Sequence, residues 1–147
     1  ATLANWALDY AERHYLPIYA AHFPQDSRPR EALAAARDWL AGRVKLPALK
    51  PLILAAHAAA REAEAVPPAQ AAARAIAQAA STIHSATHAL GIAFYGAAAQ
   101  AYQTYGTQAD PSLYEQVSAE ECARLEAALR AMAVPDEPHS AKVNWRC

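Results

Sequence analysis

Leu52-Ile53-Leu54-Ala55-Ala56-His57-Ala58-Ala59-Ala60-Arg61-Glu62-Ala63-Glu64 carries the pattern that decides the fold. Leu52, Ala56, Ala59, Ala60 and Ala63 recur at three- and four-residue intervals, the period of one α-helix face. Most of that face is methyl groups, so a neighbouring helix can approach with no large side chain holding the axes apart. His57, Arg61 and Glu64 form a separate polar stripe at i, i+4, i+7. The pattern predicts a helix over about 47–65.

The same composition extends in both directions. Roughly 40 of the 147 residues are alanine, the strongest helix former. Valine is scarce, and no stretch alternates apolar and polar residues as a half-buried strand would. Four glycines and ten prolines punctuate the alanine runs. Toward the N-terminus, Leu3, Trp6, Ala7, Tyr10, His14 and Ile18 share a face of a helix over 3–21, which Pro17 should bend or end. A turn follows at 23–27. A second helix then runs to about 41, capped by Asp26 or Ser27, opened by Pro29 and stopped at Gly42. Leu33, Ala36, Trp39 and Leu40 form its core face.

Toward the C-terminus, Pro67-Pro68 break the chain before a long helical pattern over 69–105. Ile76, Ile83, Leu90, Phe94 and Ala101 share one of its faces. Gly91 and Gly96 weaken it, giving one bent helix or two. After a turn at 106–111, Ser118-Ala119-Glu120-Glu121 reads as a capping box for a last helix to about 133. Cys122, Leu125, Leu129 and Met132 are expected to face inward. Residues 134–147 read as an extended tail. The expected architecture is all-α: a single-domain, alanine-rich bundle of about five helices, long enough to bury roughly two-thirds of its unfolded surface.

Thirteen basic and fourteen acidic residues leave a formal net charge of −1, which is no footprint for nucleic acid or an anionic membrane. There is no signal-peptide pattern and no run of eighteen apolar residues, so a cytoplasmic chain without a membrane partner is expected. Cys122 and Cys147 lack metal-ligand spacing, and no disulfide framework is expected.

Three groups of residues can carry chemistry. His84 and His88, at i, i+4, point the same way on a helix and can hold a divalent metal such as zinc if His57 supplies a third ligand. The alternative is a pair of partly buried histidines bonded to backbone or carboxylates. On a continuous helix, Tyr95 and Tyr102 fall on nearly the same side, at the margin of the core, where tyrosines either recognise a partner or fill the bundle's edge. Arg28, Arg30, Arg37 and Arg61 either clamp a partner's carboxylate or pair internally with Asp9, Glu12, Asp38 or Glu62. With Trp39, the tyrosines and arginines could also line a small-ligand pocket. No nucleophile–base pair, phosphate loop, dinucleotide fingerprint or cysteine cluster is present, so nothing beyond the histidines argues for an enzyme or a cofactor.

Several segments occur together in one order. They are Trp6-Ala7-Leu8-Asp9-Tyr10-Ala11-Glu12, Pro24-Gln25-Asp26-Ser27-Arg28-Pro29-Arg30, Ala35-Ala36-Arg37-Asp38-Trp39, Ala55-Ala56-His57-Ala58-Ala59-Ala60-Arg61, and the stretch from Ala80 through His84 to His88-Ala89. Together, over about residues 5–95, they resemble a family of candidate immunity proteins of bacterial polymorphic toxin systems. The resemblance implies an all-helical, non-enzymatic protein that binds and neutralises a cognate toxin. Arg28, Arg30, Arg37, His57, Arg61, His84 and His88 are the matching motif residues. A metal-binding helical bundle, or a metal-dependent enzyme, built on His57, His84 and His88 is the alternative.

Overall fold

The computed structural model describes residues 1–143, and all regular structure among them is α-helical. The helices are α1 (Thr2–His14), α2 (Leu16–His22), α3 (Arg28–Leu40), α4 (Leu46–Glu62), α5 (Pro67–Ser81), α6 (His88–Tyr105) and α7 (Pro111–Met132). About five were expected. The described residues form seven segments, or six if α1 and α2, separated only by Tyr15, are counted as one bent helix. That bend is the one Pro17 imposes: it lies in the first turn of α2, where its missing N–H costs nothing. The stop at Gly42 also holds, with φ +72° and its N–H bonded to the Trp39 carbonyl at 2.9 Å.

α5 occupies the centre and packs against α1, α2, α3, α4 and α6. Ala69, Ala71, Ala72, Ala73, Ala75, Ala77, Ala79 and Ala80 are all buried, together with Ile76. A helix apolar over most of its surface belongs in a core, and here that surface is almost all methyl, with Gln70, Arg74 and Gln78 on the remaining stripe. The narrow alanine face read in α4 is real, since Ala56, Ala59 and Ala60 are buried there. In α5 the face widens to all but the stripe of Gln70, Arg74 and Gln78.

The long pattern over 69–105 is broken between α5 and α6, at residues 82–87, and not at its glycines. At the end of α5 the Ser81 and Thr82 hydroxyls donate back to the Ala77 and Gln78 carbonyls, at 2.8 and 3.1 Å, and so compete with the helical ladder. Gly91 and Gly96 lie inside α6, where they permit close approach. A Cβ at Gly91 would stand 2.6 Å from Gln78 Cγ, and one at Gly96 would stand 2.0 Å from the Tyr15 hydroxyl oxygen. The break also changes the register of α6. Leu90 and Phe94, expected in the core, are 36% and 72% exposed, and Ile92 takes the buried place.

α7 begins eight residues earlier than the capping box suggested. Asp110 is its N-cap, accepting the Ser112 N–H at 2.9 Å, and Pro111 occupies the first turn. Cys122, expected inside, is an exposed free thiol; Cys147 lies outside the described residues. Leu125 is buried, and Leu129 and Met132 pack against the core. Glu121, the supposed capping acid, is fully buried. Its Oε1 accepts hydrogen bonds from the Tyr10 and Tyr15 hydroxyls at 2.9 and 2.8 Å. Its Oε2 accepts from Arg124 Nε and Nη2 at 3.1 and 2.8 Å. One turn on, Trp6 Nε1 donates to the Leu125 carbonyl at 3.1 Å. Beyond α7 the tail, expected to be extended, turns at 135–139 and folds back. Glu137 accepts from the Thr2 N–H and hydroxyl at 2.9 and 2.6 Å, satisfying a donor that opens α1.

Removing the shared acceptor with Glu121→Ala strands two buried hydroxyls, and we expect a loss of about 3 kcal/mol in urea unfolding. Burial first, then the Glu121 charge, raises the ionisation of both tyrosines far above its ordinary value. The folded state therefore favours the neutral phenols, so stability complete below pH ~10 declines as pH rises past the unfolded tyrosine value. Ultraviolet titration should show Tyr10 and Tyr15 ionising only as the protein unfolds. Gly96→Ala places a methyl against a ring that cannot yield. It should lose about 1–3 kcal/mol despite the better helix propensity of alanine.

Candidate functional site

Helices α4, α5 and α6 frame an open groove of about 370 Å³, lined by Lys50, Ile53, Leu54, His57, Ser81, His84 and His88. α4 supplies the first four, the end of α5 supplies Ser81, and the break between α5 and α6 brings in the last two. His57, His84 and His88 thus line one groove. The route differs from the expected one. His84 is exposed in the turn and His88 is the first residue of α6, so no continuous helix aligns them. Their rings stand edge to face, with centroids 5.4 Å apart.

The His88 ring is held from behind. Its Nδ1 lies 2.7 Å from Gln78 Oε1, and because an amide oxygen only accepts, Nδ1 carries the proton. Nε2 is left with a lone pair. Gln78 occupies the space that Gly91 leaves open. Burial, then the neighbouring His84 and His57, lowers the His88 pKa below its usual value; burial, then Arg61, does the same for His57. Both imidazoles are therefore neutral near pH 7. Among the described residues no three His, Cys, Asp or Glu side chains stand together at metal-binding spacing, so His57, His84 and His88 line one groove without forming a closed ligand set.

The arginines divide into two pairs. Arg28 donates to both Asp26 oxygens, with Nε–Oδ1 at 2.9 Å and Nη2–Oδ2 at 2.8 Å, and reaches Glu62 of α4 at 2.6 Å. Asp26 also accepts from the Tyr19 hydroxyl, and the Arg28 bonds are foremost in holding its carboxyl down at about 2. Arg37 bridges to α1 through Asp9 at 2.7 Å and Glu12 at 2.5 Å. These two therefore follow the internal-pairing reading and tie α3 to its neighbours. Arg30 and Arg61 are exposed.

The aromatic candidates separate as well. Trp39 lines another groove with Leu40, Ile83, His84 and His139. Tyr95 lies under the Arg74 guanidinium at 5.7 Å, and Tyr102 packs edge-on against Tyr114 of α7 at 6.1 Å. The stripe of Tyr95 and Tyr102 with His84 breaks where the helix breaks. The polar stripe of α4 likewise stops at Arg61, because the helix ends at Glu62 and Glu64 lies beyond it. Sequence reading missed two residues with structural or site roles. Glu121 had a legible signal, lying four residues before Leu125 on the inward face. Gln78 had none, because its task depends on the hole at Gly91.

The sequence profile of the family described as "Imm-5 like putative immunity protein" matches residues 1–128 of the 147. The chain belongs to this family. No curated protein and no solved structure matches it. The family match extends past the region 5–95 that carried the resemblance and includes α1–α6, most of α7, the three groove histidines and Glu121.

Because both the His57 and His88 pKa values lie below 6.5, the folded state binds fewer protons than the unfolded state as pH falls through that value. Stability should be full above about pH 6.5 and decrease on acidification until the folded-state pKa values are passed. His14, whose pKa is also lowered chiefly by burial, adds to the effect. Histidine NMR titration should place all three below free histidine, and a His88→Gln variant should flatten part of the melting-temperature profile between pH 7 and 5.

Proposed function

We propose that this protein is an immunity protein that binds a cognate toxin and blocks its action by occlusion, without itself catalysing a reaction. Family membership over residues 1–128 carries the reading. The surface we assign to the toxin is the outward side of α6. Leu90 and Phe94 lie one turn apart, and Tyr105 falls within about 60° of both on the same helix at 100° per residue. Their exposures are 36%, 72% and 44%. Exposed large apolar side chains aligned along one helix face mark an interaction surface better than scattered ones do. An aromatic side chain such as Phe94 is the usual energetic anchor of such contacts.

Arg28 and Arg37 have their guanidinium groups engaged within the bundle, so they take a supporting role. Arg30 and Arg61 are exposed and available as polar contacts at the rim, where charge affects association rate and choice of partner more than affinity.

The test is copurification and surface plasmon resonance with the toxin encoded by the adjacent gene, together with rescue of cells expressing it. Wild-type protein should bind and protect. Phe94→Ala should weaken binding by about 30-fold or more while leaving the melting temperature unchanged, because the ring contributes nothing to the core. Failure to bind or protect would remove the immunity reading. Protection with Phe94→Ala and Leu90→Ala both binding like wild type would instead remove the α6 surface.

A further inference from the structure

We infer that the groove between α4, α5 and α6 is a binding site for a divalent transition-metal ion of the zinc type, with His84 and His88 as primary donors and His57 as the third. Four observations lead there, and none depends on the toxin reading.

The first is the arrangement behind His88. A metal-ligating histidine characteristically donates its other ring N–H to a protein oxygen, which fixes the tautomer and turns the remaining lone pair toward the ion. His88 Nδ1 has that partner in Gln78 Oε1 at 2.7 Å, leaving Nε2 as the donor. The partner is itself built in, because Gln78 fits only where Gly91 has no side chain: a Cβ there would stand 2.6–2.8 Å from its Cγ, Cδ and Oε1.

The second is spacing. Zinc–nitrogen bonds of about 2.1 Å place each ring centroid about 3.2 Å from the ion, and two rings at a tetrahedral angle then stand about 5.2 Å apart. The His84 and His88 centroids are 5.4 Å apart. The third is convergence, since His57 from another helix lines the same groove. As the side chains stand, no three ligands among the described residues share one point. Closing the set takes side-chain rotation, for which His84, exposed in the turn, has room.

The fourth is donor chemistry. The lining carries no carboxylate and one cation, Lys50. A neutral, all-imidazole set selects zinc, copper or nickel over magnesium or calcium, and the lysine disfavours binding by charge alone.

The experiment is isothermal titration calorimetry of the full-length, untagged protein with zinc chloride at pH 7, with thermal unfolding in parallel. We expect one equivalent bound with a Kd of about 10 µM or tighter and a higher melting temperature. His84→Ala and His88→Ala should each weaken binding at least about 30-fold, and His57→Ala at least about 10-fold. Gln78→Ala, which removes no ligand, should cost about 10–100-fold. That last loss is not expected of adventitious binding to surface histidines. A Cys122→Ser, Cys147→Ser double variant should bind like wild type. His84→Ala alters an exposed turn residue, and unchanged circular dichroism will establish that it folds. The inference fails if zinc gives neither heat nor a stability shift at 100 µM. It fails equally if binding survives the loss of both His84 and His88, or if Gln78→Ala has no effect.

Discussion

The distance at which five helices can approach α5 sets the rest of the structure. Alanine loses no side-chain entropy on burial and extends only one methyl beyond the backbone. A helix covered in alanine over most of its surface therefore accepts several close neighbours, whereas a leucine-rich helix would hold each of them further off. α1, α2, α3, α4 and α6 all take advantage of this. Close approach also explains where the glycines fall. Gly96 admits the Tyr15 ring and Gly91 admits Gln78, in places where even a methyl would be too large.

A core made mostly of methyl groups gives few shapes to define a unique arrangement, and the polar contacts add that definition. Arg37 fixes α3 against α1 through Asp9 and Glu12, and Arg28 links the turn after α2 to the end of α4. Most of these groups are partly exposed, so their individual energies are small and their directional geometry matters more. Glu121 differs because it is fully buried. Two phenols and a guanidinium satisfy its two oxygens, and a buried charge is tolerated when its hydrogen-bonding capacity is met in this way.

Much of this was legible in the sequence where the signals are local. Pro17, Pro29 and Gly42 end or open helices through their own backbone chemistry, and each acts as read; Pro67, read as a break before the next helix, instead opens it. The break at 82–87 contains neither proline nor glycine, while the two glycines that suggested a break nearby serve contacts with residues distant in the chain. The capping-box reading at Ser118 failed for a related reason. The pattern was present, but Asp110-Pro111 opens the helix earlier and leaves Glu121 facing the core. Of the candidate site residues, His57, His84 and His88 line one groove although the helix assumed to align two of them is interrupted. Tyr95 and Tyr102 were aligned with His84 by a periodicity that does not survive that interruption, and Trp39, grouped with them only as a pocket lining, lies on another groove. Phe94 was placed in the core by the same assumption, and the change of register after the turn is what exposes it.

The attachment of α7 has a consequence for the order in which the molecule opens. It is the longest helix, yet only Glu121 and Leu125 of its residues are buried, and its main neighbours are α1 and α6. Local unfolding is easiest where few apolar contacts must be lost. α7 is thus a separable cooperative unit, retained by one carboxylate, one indole bond and a short apolar seam. Its amides should exchange with solvent through an opening that leaves the remaining helices formed, while those of α5 exchange only when the whole bundle unfolds.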